Sequence, residues 1–314
     1  MAADLVPVVP SELLSPEALP PDRHPVAVYL ARLAPGSRPT QRAALVRLAG
    51  LLAPGVGLGA LAWHRLRYQH AAAARSALMA EGLAPRTINR TLAALRGVVR
   101  EAWRLGLTAG EDYQRLRDVA GVRGSRLPAG RALSRAEERA LFGACDGSPR
   151  GLRDGALLAL LLGGGLRRAE VVSLDLEGLE PGARAVRVVG KGDKERRVPL
   201  PPSSAARVVA WCAARGETPG PLLCPVSKGG RVELGRLSLS GVAVALAALA
   251  RRADVAGFSS HDGRRTRITR LIEAGVDLEA VRRLAGHSSV TTTARYDRRA
   301  DHALDREADR VDVG

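Results

Sequence analysis

Between Asp154 and Leu162 the chain reads DGALLALLL, and three glycines, Gly163, Gly164 and Gly165, follow at once. After its first residue this stretch has no polar side to offer water. A helix built from it must be enclosed by other elements. The whole apolar run, Gly155 to Leu166, is too short to cross a bilayer, which takes about 20 residues. The stretch therefore predicts a buried central helix, ended by glycines, inside a domain that wraps it.

At 314 residues the chain is too long for one ordinary core and suits two domains. Residues 1–22 hold five prolines and little periodicity, and read as a mobile lead-in. Residues 23–120 carry helical patterns. TQRAALVRLAGLL sets Ala44, Leu45, Leu48, Leu51 and Leu52 on one stripe, and PRTINRTLAALRGVVREAW does the same with Ile88, Leu92, Leu95, Val98, Val99 and Trp103. The other face of that second helix bears Arg86, Arg90, Arg96 and Arg100. Greasy on one side and basic on the other, it has the pattern of a helix that packs on its own domain while facing phosphates.

GVRGSRLPAGR, rich in Gly, Pro and Arg, marks a linker over 121–133. A second domain is expected over 134–299, opened by Ser134 as the cap of RAEERALFGAC. Within it, AVRVVGKGDKERRVPL predicts two short strands joined by a turn at Gly190–Lys194. The tail, 300–314, places Ala300, Leu304 and Ala308 at four-residue spacing, a short helix expected to dock on a neighbour. The fold class that follows is mainly α with one small β-hairpin.

Net charge is +16, and the basic residues are spread through both halves rather than gathered in a tail. That balance points to a polyanionic partner, nucleic acid rather than a membrane surface, because no stretch reads as a basic amphipathic anchor. Three cysteines without CxxC spacing suit a reducing compartment and argue against a zinc site. The first twenty residues hold no Lys or Arg, so they do not form a secretory signal, and the cytoplasm is the expected location.

Four separated stretches carry chemistry. In GGGLRRAEVVSL, Arg167 sits at the seam of two helices, where Glu170 can fix its planar fork; alone, this is also how a structural salt bridge reads. No Walker A motif is present, since Gly190–Lys191 is followed by Gly192. The turn GKGDK holds two of the chain's three lysines, Lys191 and Lys194, in a sequence that otherwise uses arginine. An ammonium can release a proton where a guanidinium cannot, so the turn is a candidate proton donor as well as a basic surface turn. In SSHDGRRTRITRLIEAG, His261 and Arg264 lie three apart at a helix start, on one face and near a natural anion site. In GHSSVTTTARYDR, His287 follows Gly286, and Tyr296 is one of only four tyrosines.

Taken in order, Arg167, Lys191, His261, Arg264, His287 and Tyr296 resemble the tyrosine recombinase (phage integrase) family, Xer-like two-domain enzymes in particular. LRDGALLALLLGGGLRRAEVVSL is similar to its first arginine box, GKGDKERRVPL to its lysine hairpin, HDGRRT to its second box and LAGHSSVTTTARYDR to its nucleophile segment. APRTINRTLAALRGVVREAWRLGL is similar to its core-binding domain, and the resemblance runs from about residue 24 to 298. It implies a helical, SAM-like core-binding domain and a catalytic domain closing on DNA as a C-shaped clamp.

The resemblance also implies a reaction. Tyr296 attacks a scissile phosphate to give a 3′-phosphotyrosyl link. Arg167 and Arg264 answer the charge on the non-bridging oxygens, and Lys191 protonates the leaving 5′-oxygen. His261 handles the tyrosine proton, His287 donates to phosphate and Glu170 steadies Arg167. No metal and no cofactor is called for. The implied partner is double-stranded DNA with inverted half-sites, bound by a tetramer of this chain, with or without a second recombinase. Two positions depart from the family's pattern: Gly263 stands where leucine is usual, and Arg267 where an aromatic is common. Two other readings share these residues, a DNA-binding regulator impaired in catalysis and a type IB topoisomerase or resolvase-like strand transferase.

Overall fold

The computed structural model describes residues 13, 19–124, 130–190, 195–286 and 293. The chain divides into two compact units, residues 1–128 and 129–314.

The first unit holds helices α1 (Pro25–Ala31), α2 (Arg38–Leu52), α3 (Tyr68–Ala80), α4 (Pro85–Arg104) and α5 (Gly110–Arg117). Pro85 starts α4 because its fixed φ suits the first helical position and its missing N–H costs nothing there. The stripe Ile88, Leu92, Leu95, Val98 and Val99 is buried against Leu45, Leu48 and Leu52 of α2, Leu78 of α3 and Leu116 of α5. Each such side chain contributes about 1.5–3 kcal/mol. Helix α1 packs on α4 at Gly97, where even a methyl carbon would stand 2.3 Å from the Tyr29 ring.

Two expectations are corrected here, and a third gains detail. Trp103, expected on the apolar stripe, is 44% exposed and stacks on Tyr113 at 5.2 Å, because the buried face of the last turn of α4 is taken by Ala102 beside it, 0% exposed. The lead-in is not loose throughout: Leu13 is fully buried in this core, and its carbonyl accepts from Ala62 N at 2.9 Å. The stretch expected as a linker, 121–133, contains the division between the units, and each of its ends is held within its own unit. Asn89 exchanges hydrogen bonds with the backbone of Val122 (2.7 and 2.9 Å), and Leu133 N donates to Thr266 Oγ1 at 2.8 Å.

The second unit comprises α6 (Arg135–Gly143), α7 (Pro149–Leu158), α8 (Arg168–Ser173), β1 (Ala185–Val189), β2 (Glu195–Pro199), α9 (Pro202–Arg215), α10 (Leu239–Arg252), α11 (Ser260–Glu273) and α12 (Leu278–Ala285). Ser134 caps α6, as the sequence predicts, and the Glu137 carboxylate closes the cap reciprocally by accepting from Ser134 N. Helix α7 is the enclosed apolar helix, but it begins at Pro149 rather than Asp154. Ser148 caps it by accepting from Gly151 N at 3.1 Å, and the polar pair Arg153–Asp154 is buried by pairing with itself at 2.6 Å.

A π turn, Ala159–Gly163, closes the run, with Gly164 N reaching Ala159 O at 3.1 Å. Gly163 is required there because a Cβ would lie 2.1 Å from Ser204 Oγ on α9. Strands β1 and β2 pair antiparallel, with Val186 opposite Val198 and Val189 opposite Glu195. Val186, Val188 and Val198 face the core. Among the described residues no helix is long and apolar enough to cross a membrane.

Candidate active site

Arg167 closes the glycine stretch and caps α8. Its backbone N–H donates to Glu170 Oε2 at 2.8 Å, and its Nη1 donates to Oε1 at 2.6 Å. Glu170 is 5% exposed, so its charge needs compensation, and one arginine does not supply all of it. Arg196 of β2 supplies the rest, with Nη1 and Nη2 forking onto the same carboxylate at 3.0 and 2.9 Å. Burial pushes the Glu170 carboxyl up, but the hydrogen bonds from Arg196 and Arg167 outweigh it and hold the group below the ordinary glutamate value.

Arg264 lies on α11 and is 3% exposed. Its Nη1 donates to Gly165 O at 2.7 Å and its Nη2 to Ala285 O. Gly165, at φ +65°, is left-handed, which turns its carbonyl toward that guanidinium at a backbone conformation few other residues adopt.

These arginines converge on one place, the C-terminal end of α12. Arg196 Nε donates to Leu284 O at 3.0 Å, Arg264 to Ala285 O, and Arg167 Nη2 to Gly286 O at 2.7 Å. Three successive carbonyls that the helix leaves unpaired are thus each taken by one guanidinium, at the negative end of the helix dipole. Gly286 ends α12 in the left-handed region (φ 59°, ψ 44°), and a Cβ on it would lie 3.1 Å from Arg196 Cζ and Nη1. Both facts call for glycine. The next residue in the chain is His287.

Not every predicted residue is placed. Lys191, Lys194, His287, Tyr296 and the tail 300–314 lie outside the described residues. Of the remaining four, the structure brings Arg167, Glu170 and Arg264 to one end of α12, and His261 is exposed on the first turn of the helix that carries Arg264. At the start of α11 the structure adds a cap that the sequence reading did not include. Ser259 Oγ accepts from Asp262 N, and Asp262 carboxylate takes Ser259 N at 2.9 Å, so the helix start is capped by its own residues.

Arg196 went unnoticed in the sequence, although a signal was present. In β2 side chains alternate, so Arg196 shares the inward face of Val198 while Arg197 points out to Glu180. Of the two departures in the second box, Gly263 lies where a Cβ would make ordinary contact, 3.4 Å, with Leu161 of the π turn. Arg267 packs its stem on Gly165, whose Cβ would fall 3.1 Å from Arg267 Cγ. No cysteine competes as nucleophile on the described surfaces, since burial pushes the Cys145 thiol up to about 11 and raises that of Cys212, while Cys224 is buried.

The four arginines of α4 separate into two pairs. Arg86 and Arg90 are exposed, with no ion pair to a described residue. Arg96 donates to Val119 O, and Arg100 Nε donates to Tyr113 Oη at 3.2 Å, so this pair works at least partly inside its own unit.

A model of the phage integrase family matches residues 131–302. Tyrosine recombinase XerC of Mycobacterium tuberculosis (strain CDC 1551 / Oshkosh) is 35% identical over 281 residues, covering 85% of this chain and 90% of that protein. Tyrosine recombinase XerC of Myxococcus xanthus is 39% identical over 154 residues, 46% of this chain, and the match spans half the length of that relative. Among solved structures, a lambda integrase dimer bound to a COC′ core site aligns with TM-score 0.63 at 16% identity, covering 88% of this chain and 94% of that one. The Tn1549 transposon integrase in complex with circular intermediate DNA aligns with TM-score 0.61 at 17% identity, covering 91% and 98%. At such identities the likeness is one of fold.

Proposed function

Because the chain belongs to the phage integrase family of tyrosine recombinases, we propose that it is a site-specific recombinase, cutting and rejoining double-stranded DNA through a 3′-phosphotyrosyl intermediate. The observation that carries the reading is the convergence of Arg167 and Arg264 on the end of α12, directly before His287 and nine residues further on Tyr296. A phosphodiester transition state gathers negative charge on its non-bridging oxygens. Two guanidiniums already fixed by Glu170 and by the backbone answer that charge without reorganising at the moment of reaction.

In this reading the Tyr296 oxygen attacks phosphorus as its proton passes to His261. The bond to the 5′-oxygen breaks, and Lys191 gives that oxygen a proton, leaving a free 5′-hydroxyl. A 5′-hydroxyl from the partner duplex then reverses the steps and expels the tyrosine. The bond energy stays in the phosphotyrosine, so the chemistry itself consumes no nucleotide and needs no metal. His287 donates a hydrogen bond to the phosphate. Glu170 does not react, and Arg196 is a positioning residue, acting through Glu170 and through the carbonyl of Leu284. Tyr296 is the sole tyrosine of the second unit's sequence, since Tyr29, Tyr68 and Tyr113 all fall in the first.

The DNA-bound states of the lambda and Tn1549 integrases support DNA as partner. Binding by a tetramer on paired inverted half-sites, with 300–314 docking on a neighbouring protomer, completes the proposal. The test is covalent trapping. A duplex nicked so that the cleaved fragment diffuses away should accumulate a protein–DNA adduct stable to denaturation, in EDTA and without ATP. Retarded complexes that never become covalent would favour the regulator reading instead.

A further inference from the structure

Most buried and half-buried arginines of the second unit meet a carboxylate, a carbonyl or, for Arg207 over Phe142 at 4.4 Å, a ring. Arg153 pairs with Asp154, Arg196 with Glu170 and Arg270 with Glu138, while Arg215 donates to the carbonyls of Gly216, Thr218 and Pro221. Arg267 breaks this pattern. It is half-buried, its Nε is shut away from solvent without a hydrogen-bond partner, and among the described residues no carboxylate or carbonyl meets its guanidinium. Burial alone shifts its proton affinity, downward, with no neighbouring charge offsetting it. An uncompensated cation of this kind is a standing cost to the fold.

Its position gives that cost a purpose. Arg267 follows Arg264 by three residues on α11, so the two share a face of the helix. Its stem is pinned by Gly165, the residue whose carbonyl holds Arg264 Nη1 at 2.7 Å. A cation is thus held one helical turn from a proposed catalytic arginine, by the same backbone turn, with its charge left open. We propose that Arg267 binds a DNA backbone phosphate adjoining the cleaved one, adding an anion site where an apolar side chain would give only packing. The inference rests on the recombinase reading above. A plain alternative is that the long stem fills space while the charged end finds water.

The experiment begins with the duplex recovered by sequencing DNA covalently trapped on the wild-type protein. Binding of that duplex is followed by fluorescence anisotropy across a KCl series for wild type, Arg267→Gln, Arg267→Phe and Arg267→Lys. Removing one phosphate contact should weaken binding several-fold at moderate salt and lower the slope of log K against log salt by about 0.9 in the Gln and Phe variants. Lys should keep most of the slope. Single methylphosphonate substitutions around the cleavage point should reveal one phosphate whose neutralisation weakens wild type and Arg267→Lys but not Arg267→Gln.

Thermal melting separates binding from folding, and Arg267→Phe should melt no lower than wild type, since it removes a charge with no partner. Wild-type affinity and slope in both Arg267→Phe and Arg267→Gln, with no phosphate that distinguishes them, would overturn the inference and leave the recombinase reading standing. If the wild type traps no DNA, that reading fails and this inference falls with it.

Discussion

On α4, Arg86 and Arg90 stand exposed without an ion pair to a described residue, while in the second unit Arg196, 14% exposed at its side chain, is locked onto Glu170 and Leu284 O. The side chain is the same and its setting is opposite. An exposed guanidinium costs the fold little and is available to any phosphate that approaches. A buried one has to be neutralised, and its partner then dictates where it points. The second arrangement is what a reaction centre needs, because donors aimed in advance stabilise charge as it forms. The first is what general affinity needs. In our reading one residue type therefore serves binding in one unit and chemistry in the other, with the neighbouring carboxylate as the difference.

The sharpest way to break this contrast is to remove that carboxylate's charge. Glu170→Gln leaves Arg196 and Arg167 facing each other uncompensated, at a cost of about 3 kcal/mol. Melting of the second unit should fall by roughly 6–12 °C, and cleavage should drop by about a hundredfold or more while binding persists. The pH dependence has a definite sign. Because the folded Glu170 value lies below the ordinary one, its stabilisation is present above the ordinary glutamate value and is lost as pH falls through the depressed folded value. The stability gap between wild type and Glu170→Gln should therefore close in acid, below about pH 4.5. A gap that stays constant as pH falls well below that range would show that charge is not what Glu170 supplies.

Lys191 extends the comparison to the one basic residue type this chain hardly uses. If proton donation is its role, Lys191→Arg keeps the charge and should still lose about a hundredfold in cleavage. A substrate with sulfur at the bridging 5′ position needs no acid, and on it the variant should recover most activity while Arg167→Ala stays inactive. Failure of sulfur to rescue would move Lys191 to the phosphate-contact side. The smallest effects belong to α4. Arg86→Gln and Arg90→Gln should each lower the salt slope by about 0.9 with melting unchanged. Arg96→Gln, which loses a hydrogen bond to Val119 O, should lower melting with little change in slope. A reversed outcome within this series would erase the distinction between the two settings.

What the sequence made legible follows the same divide. Periodicity located α4 and its buried stripe, the serine cap found α6, and alternation around GKGDK located the hairpin, since each of these is decided within a few residues. The order of the boxes suggested the family. Pairing across long separations stayed hidden. Nothing in ERRVPL says that Arg196 meets Glu170, 26 residues earlier, or that it reaches Leu284, 88 residues later. The cap that Ser259 and Asp262 close at the start of α11 went unread because His261 and Arg264 drew notice there. Trp103 was misjudged because an apolar stripe read along a helix does not say which of two neighbours, Ala102 or Trp103, takes the buried face. Arg267 was noted as a departure, but its lack of a partner is a fact of tertiary structure alone.

The central claim is that a tyrosine oxygen becomes covalently joined to DNA, and the direct measurement is Tyr296→Phe in the trapping assay. The account predicts that the variant binds the duplex with wild-type affinity and salt slope, because affinity rests on phosphate neutralisation. It also predicts no adduct, with or without EDTA, while protease digestion of the wild-type adduct yields a single nucleotide-bearing peptide containing Tyr296. An adduct formed in undiminished yield by Tyr296→Phe, or a nucleotide-bearing peptide from elsewhere in the chain, would contradict it.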